Sequence, residues 1–469
     1  MLRSQIRRIK CRSAPTNHKR NTQSAAKSSC ILEELRHRGF VQEVTREDAL
    51  STALQNDKQT LYLGIDPSAG SLHAGHLFPL LCLFHFHLRG HRVIPLIGGA
   101  TGLVGDPSGR VTEREQADVG RVERNVSLLE QSVQTFFKSA TKYAKQRGLD
   151  QHCSPSEDIK VLSNLEWHKD MGLLQFLRTV GTHVRVNTML SRESVQTRMA
   201  SQQGISYAEF TYQLLQGYDF YQLNKEHGCT IQIGGSDQWG NIISGLELIN
   251  RLNPSSEKKG YGIITPLLTT TSGEKFGKSA GNAVWLSGEL TSAFDFYQFF
   301  LRVPDADVGK YLRMFTLMPL SDIEQVLTGD HKRYPEQRIA QRALADEVTL
   351  MIHGEAGLEA ARTATKCLFD SNYEGLTGSS IIEALSGDPR LVKVPKDVLF
   401  GTPVGKLAAT YGLVSSNSAA RALVQAKGLY ISNQPVEDHM TTVRPEDVID
   451  ERVVVLRAGK GKHLVLVAV

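Results

Sequence analysis

The segment LGIDPSAGSLHAGH, residues 63–76, closes an apolar strand, turns at Asp66-Pro67 and opens a helix. The strand is TLYLGID, and the helix, LHAGHLFPLLCLFHFHLRG, is long and mostly apolar. HRVIPLIGGATG then reads as a second strand ending in glycines, and GCTIQIGGSDQWGN, residues 228–241, as a third. Strand, helix and strand in this order predict a parallel sheet with helices on both faces. Ligands of such a sheet lie at the carboxyl ends of its strands, where these glycine turns fall.

Within the first segment stand His73 and His76, with Gly75 between them. About 200 residues on, GEKFGKS carries Lys275 and Lys278 on a small, polar loop. Histidines at a helix start can donate to phosphate oxygens near its amide-rich end. Two ammonium groups on a mobile loop can close over a triphosphate as charge builds on the leaving group. Together the pair predicts attack on the α-phosphate of ATP. His85, His87 and His91, further along, read as ordinary surface histidines.

Composition sets the bounds. A chain of 469 residues with 41% apolar content suggests two to four domains. No apolar run approaches the roughly 20 residues of a membrane span. The six cysteines are scattered without a C-x-x-C pair, which argues against a disulfide framework or a zinc site and fits a reducing compartment. The net charge of +5 is misleading, because residues 1–29 hold eight Arg or Lys and no acid. The remainder has 46 basic and 49 acidic residues. The basic arm, with Leu2, Ile6 and Ile9 at helical spacing, is expected to be a mitochondrial transit peptide leading to the matrix. A basic arm that touches nucleic acid is the alternative.

The expected organisation follows from these shifts. Residues 30–271 form an α/β catalytic unit, with a charge-rich helical insertion over 113–200. Residues 272–290 are the mobile lysine loop, and 291–390 are helical. Residues 402–469 form a small α/β tail, in which Lys406, Arg421, Lys427, Arg457, Lys460 and Lys462 make a patch able to follow a phosphate backbone.

LYLGIDPSAGSLHAGHL, GGATGLVGDPSG, YQLLQGYDF, IGGSDQWGN and KFGKS, in register over residues 30–300, resemble the signature segments of bacterial-type tyrosyl-tRNA synthetases. These are class I aminoacyl-tRNA synthetases. The tail is similar to the ribosomal-protein-like RNA-binding unit that such enzymes carry. The resemblance implies a class I Rossmann-like sheet, tyrosine, ATP with Mg²⁺ and tRNA(Tyr) as partners, and a homodimer with no membrane association. It implies no tightly bound protein metal, the magnesium being held by phosphate oxygens and water. The departures are Ala74 within H-x-G-H, Ser68 where threonine is frequent, and Leu63 and Pro79 where some relatives carry polar residues.

The resemblance also implies roles for residues. His73, His76, Lys275 and Lys278 are catalytic. Tyr62 and Asp219 hydrogen-bond the substrate phenol; Tyr212, Gln216 and Asp106 hold its ammonium; Gln238 lies near its carboxylate. Gly64, Gly75, Gly234 and Gly235 admit ATP, with Asp66, Ser68, Asp237 and Ser279 beside it. Arg110 and Arg114 match positions near the pyrophosphate. The residues support part of this independently: Tyr212, Gln216 and Asp219, at i, i+4 and i+7, form one polar stripe on a helix whose other faces carry Phe210, Leu214, Leu215 and Phe220. Two alternatives stay open, a tryptophanyl-tRNA synthetase-like enzyme and an RNA-binding accessory protein on a synthetase scaffold.

Overall fold

The structure is a computed structural model. It describes residues 30–469 except 111, 113–116, 150–158, 203, 255–258, 270–275, 280, 281, 371 and 460. The expectations for residues 1–29, Arg114, Lys275 and Lys460 lie outside the described residues, as do the side chains of Lys278 and Ser279.

The first sheet has six strands: β1 (Glu43–Val44), β2 (Thr60–Ile65), β3 (Arg92–Ile97), β4 (Leu162–Ser163), β5 (Cys229–Gly235) and β6 (Tyr261–Thr265). Their spatial order is β1-β6-β5-β2-β3-β4. All neighbours are parallel except β1 with β6. After β2 the chain crosses to β3 on one side, and β5 lies on the other. The order therefore reverses at β2, and the crevice opens beyond the ends of β2 and β5. The two-residue β4 lies inside the segment read as helical, and is too short to show a period of two.

The helix Ala74–His87 fills the β2–β3 crossover. It is buried on nearly every side, which its almost unbroken apolar sequence requires. This placement corrects one expectation: His85 and His91 are buried, at 3% and 5% exposure, and are not surface residues. His91 Nδ1 accepts from the Gln59 amide at 3.0 Å.

Two short strands, β7 (Lys278–Ser279) and β8 (Asn282–Ala283), pair within the lysine loop. Helices Ala293–Leu301, Asp305–Phe315, Leu320–Thr328 and Ile339–Phe369 follow. The second sheet contains β9 (Leu391–Val394), β10 (Leu429–Ile431), β11 (Gln434–Pro435), β12 (Val453–Ala458) and β13 (Lys462–Ala468), ordered β11-β10-β12-β13-β9. It has its own core, including Leu407, Leu429, Leu456 and Leu466. β9 precedes the expected start of this unit at 402, yet pairs with β13 in parallel. Lys406, Arg421, Lys427 and Lys462 are exposed, and the Arg457 guanidinium stacks 3.8 Å from the Tyr430 ring centroid.

Burial leaves a pH signature. Desolvation pushes His76 down to about 3, with the neighbouring His73 adding to it. Burial likewise pushes His91 and His353 down to about 4, and His85 well below the ordinary histidine range. A histidine depressed in the folded state stays neutral while the unfolded chain takes up its proton near pH 6.5. Stability is therefore complete above about pH 6.5 and is lost as pH falls from there towards 4. The urea midpoint should stay flat from pH 8 to 7 and drop by pH 5. A midpoint that rises over the same interval would contradict the buried neutral histidines.

Candidate active site

At the start of Ala74–His87 the two motif histidines cap the helix. The Gly75 amide donates to His73 Nδ1 at 3.1 Å, and the His73 amide donates to His76 Nδ1 at 3.2 Å. The rings stack with centroids 3.8 Å apart. Because each Nδ1 accepts, a neutral ring carries its proton on Nε2. His76, kept neutral by burial, thus has an Nε2–H to donate. His76 lines the crevice, while His73 stands behind it against Trp285, whose ring is 6.0 Å away.

The lysine loop meets this turn directly. A Cβ on Gly277, at φ +93°, would come within 2.7 Å of the Gly75 amide nitrogen, so only glycine lets the two signature segments touch. Next to it Phe276, 7% exposed, is caged by aromatic rings. Its centroid lies 4.8 Å from Tyr311, 4.9 Å from Phe315 and 5.2 Å from Phe299. The Ala74 amide donates to the Val284 carbonyl at 2.7 Å, and the Leu286 amide to Leu72 at 2.8 Å. Phe276, Gly277, Val284 and Leu286 are thus the described points at which this segment meets the rest of the fold.

The crevice runs from β2 and β5 to the helix Tyr207–His227. Tyr62, Asp106, Tyr212, Gln216, Asp219 and Gln238 all line it. So do Gly64, Asp66, Ser68, Gly75, Gly234 and Gly235. A Cβ on Gly64 would meet nothing within 4 Å, so its bare backbone leaves room for a ligand rather than for packing. Asp237 is exposed at the rim, where a Cβ on the crevice-lining Gly235 would come within 2.6 Å of its Oδ1; Gly109, beside the exposed Arg110, lies near Asp237.

The deep end is an oriented polar network. Asp219, 2% exposed, accepts from Trp167 Nε1 at 2.8 Å and from Asn164 Nδ2 at 3.0 Å, with His168 Nε2 at 2.8 Å. The buried Tyr62 hydroxyl has no hydrogen-bond partner among the described residues, and burial followed by the Asp219 charge raises its ionisation well above the phenol range. Tyr212 OH donates to Asp66 Oδ1 at 3.4 Å, and burial, then Asp66, raise it likewise. Both phenols therefore stay neutral and able to donate. Nearer the mouth, Gln238 Nε2 donates to Asp106 Oδ2 at 2.6 Å, and Asn241 Nδ2 bridges Gln216 and Gln238. The sequence reading missed Asn164, Trp167, His168 and Asn241, because their role exists only through contacts far apart in the chain.

A helix start capped by two stacked histidines, a lysine-bearing loop seated on it through Gly277, and a polar crevice at the strand ends match the build of a class I tRNA synthetase. The family model for tRNA synthetases class I (W and Y) matches residues 54–370, and that for the tyrosine–tRNA ligase SYY-like C-terminal domain matches residues 401–466. The chain is 41% identical to the mitochondrial tyrosine–tRNA ligase of Saccharomyces cerevisiae, covering 94% of this chain and 90% of that one. It is 39% identical to the mitochondrial tyrosine–tRNA ligase of Drosophila melanogaster, covering 93% and 94%. The crystal structure of a C-terminally truncated Aspergillus nidulans mitochondrial tyrosyl-tRNA synthetase superposes with a TM-score of 0.67 at 35% identity, covering 73% of this chain and 95% of that one. The chain belongs to the tyrosyl-tRNA synthetase family.

Proposed function

We propose that this enzyme attaches tyrosine to mitochondrial tRNA(Tyr) in two steps. The tyrosine carboxylate attacks the α-phosphate of ATP in line, giving tyrosyl-adenylate and pyrophosphate. The terminal ribose hydroxyl of the tRNA then attacks the activated carbonyl. Neither step needs a protein nucleophile; positioning and charge stabilisation carry both. The observation that carries the reading is the contact of Gly277 with Gly75, which brings the lysine loop onto the histidine turn at the crevice.

In this reading Asp219 accepts from the substrate phenol and Tyr62 donates to it. Tyr212, Gln216 and Asp106 receive the ammonium, with Gln238 by the carboxylate. His73 orients His76, whose Nε2–H faces the phosphates. Lys275, Lys278 and Ser279 close on the pyrophosphate side, with Arg110 and Arg114 beyond. Gly64, Gly75 and Gly235 let ATP approach, beside Asp66, Ser68 and Asp237. Among the described residues no group of three His, Cys, Asp or Glu could hold a metal ion. Magnesium is assigned to the incoming triphosphate, as part of the substrate. The exposed lysines and arginines of the second sheet domain, with the helical region, serve the tRNA. Residues 1–29 direct the protein to the matrix. No helix among the described residues is long and apolar enough to cross a membrane.

The homodimer belongs to the same proposal. The short helices Leu173–Thr179, Val186–Leu190 and Glu193–Met199 precede the pocket helix, and the first two share a small core with it through Phe176, Met189, Leu214 and Tyr218. Outward they expose Leu173, Leu174, Val186 and Met199, at 53–77%. So many exposed large apolar side chains in one segment mark a protein interface. The wild type should sediment as a dimer and Leu174→Glu as a folded monomer. A wild-type monomer at micromolar concentration would contradict the assignment. The enzymatic proposal is tested by charging: radiolabelled tyrosine should pass to tRNA(Tyr) and to no tRNA of another specificity.

A further inference from the structure

We infer that His168 is a specificity-positioning residue, fixing the Asp219 carboxylate so that one acceptor site remains aimed at the tyrosine phenol. This inference rests on the reading of Asp219 as the phenol acceptor. It arises from a contact between segments 51 residues apart, in a stretch that no signature covers.

An ionised carboxylate offers about four acceptor positions and no proton. Asp219 Oδ1 takes two donors, Trp167 Nε1 and His168 Nε2, each at 2.8 Å. Oδ2 takes one, Asn164 Nδ2 at 3.0 Å. Asn164 is itself fixed, since its Oδ1 accepts from the Ala100 amide at 2.7 Å and its Nδ2 also reaches Thr101 Oγ1 at 3.0 Å. The remaining position on Oδ2 is the one left for a ligand. Because the carboxylate can only accept, the imidazole nitrogen facing it must carry hydrogen.

The His168 side chain is 8% exposed and that of Asp219 is 3% exposed. Its ring centroid lies 5.7 Å from that of Tyr218, one residue before Asp219. His168 therefore grips the helix turn that carries the carboxylate as well as the carboxylate itself. Without this donor, Oδ1 regains an open position and the carboxylate can rotate away from the phenol site. The substrate then loses a fixed acceptor, while the histidine turn, the lysine loop and the ATP contacts remain intact. The consequence is graded: weaker tyrosine binding and weaker rejection of phenylalanine, with the chemical step preserved.

The test compares His168→Leu with His168→Gln in the full chain, by amino-acid-dependent ATP–pyrophosphate exchange. Glutamine restores an N–H donor near the imidazole Nε2 position; leucine fills space and donates nothing. His168→Leu should raise KM for tyrosine by about 10-fold or more and cut the tyrosine-to-phenylalanine preference by a similar factor. KM for ATP and kcat should change less than about threefold. His168→Gln should recover most of both losses, and thermal melting of each variant reports folding. A leucine variant that melts like the wild type and keeps both its tyrosine KM and its preference overturns the inference and leaves the proposed function standing. Equal shifts in KM for tyrosine and ATP, unrecovered by glutamine, also overturn it, as a merely structural role. A wild type that never activates tyrosine removes the proposed function and this inference together.

Discussion

Asp219→Ala should lower kcat/KM for tyrosine activation by about 10²–10³. Three donors now converge on this carboxylate, from Asn164, Trp167 and His168. Removing it leaves Trp167 Nε1 and His168 Nε2 without this acceptor and Asn164 Nδ2 with Thr101 Oγ1 alone, and in the proposed reading it takes the acceptor from the substrate phenol. Buried polar groups left unpaired are costly, and the cost recurs whenever the ligand lacks the matching group. The tyrosyl synthetases are themselves the standard example of such discrimination, so the effect is a property of the family rather than a deduction from this chain. Tyr62→Phe should act more mildly, by about tenfold, since it deletes one neutral donor from an otherwise packed wall. The measurement is pyrophosphate exchange against tyrosine concentration, with KM for ATP followed in parallel. An Asp219→Ala enzyme that keeps its tyrosine KM would place the phenol elsewhere.

Phe276→Ala should lower kcat by about 10² with little change in tyrosine KM. The ring is caged by Phe299, Tyr311 and Phe315, which belong to the helical region, and stands next to the glycine that touches the histidine turn. It thus ties the lysine loop to the helices while Gly277 ties it to the site. Truncating a buried phenylalanine costs about 3–5 kcal/mol in a core that cannot collapse, so melting should fall as well. Phe276→Leu keeps much of the volume and should recover much of the rate. Neither Phe276 nor the rings around it line the crevice with Tyr62 and Asp219, to which the proposal assigns the tyrosine, which is why binding of tyrosine should survive. A Phe276→Ala enzyme with full kcat would mean that the loop is positioned by its lysines alone.

The readable parts of this chain are those whose information is local. Strands β3 and β5 show as short apolar runs ending in glycine, β2 as one running into the Asp66-Pro67 turn, and Ala74–His87 as a long apolar run behind a histidine cap. The stripe Tyr212, Gln216 and Asp219 needs only helical spacing, and all three side chains do line the crevice. What stayed hidden depends on contacts across the fold. Asn164 and His168 acquire meaning only when β4 brings their segment alongside the pocket helix. His85 looks like any polar residue at a helix end until the apolar helix is seen to be covered on nearly every side. Phe276 reads as a spacer between lysines, because its cage is built from residues 299–315. The tail's extra strand, β9, is four residues long and sits beyond a proline-bounded gap, so neither length nor period announces it.

Whether this enzyme activates tyrosine is decided by amino-acid-dependent ATP–pyrophosphate exchange, with tyrosine, tryptophan and phenylalanine offered separately. Exchange with tyrosine alone, lost in Asp219→Ala, is the predicted result. Exchange with tryptophan in its place, or none from folded protein with any of the three, would contradict it.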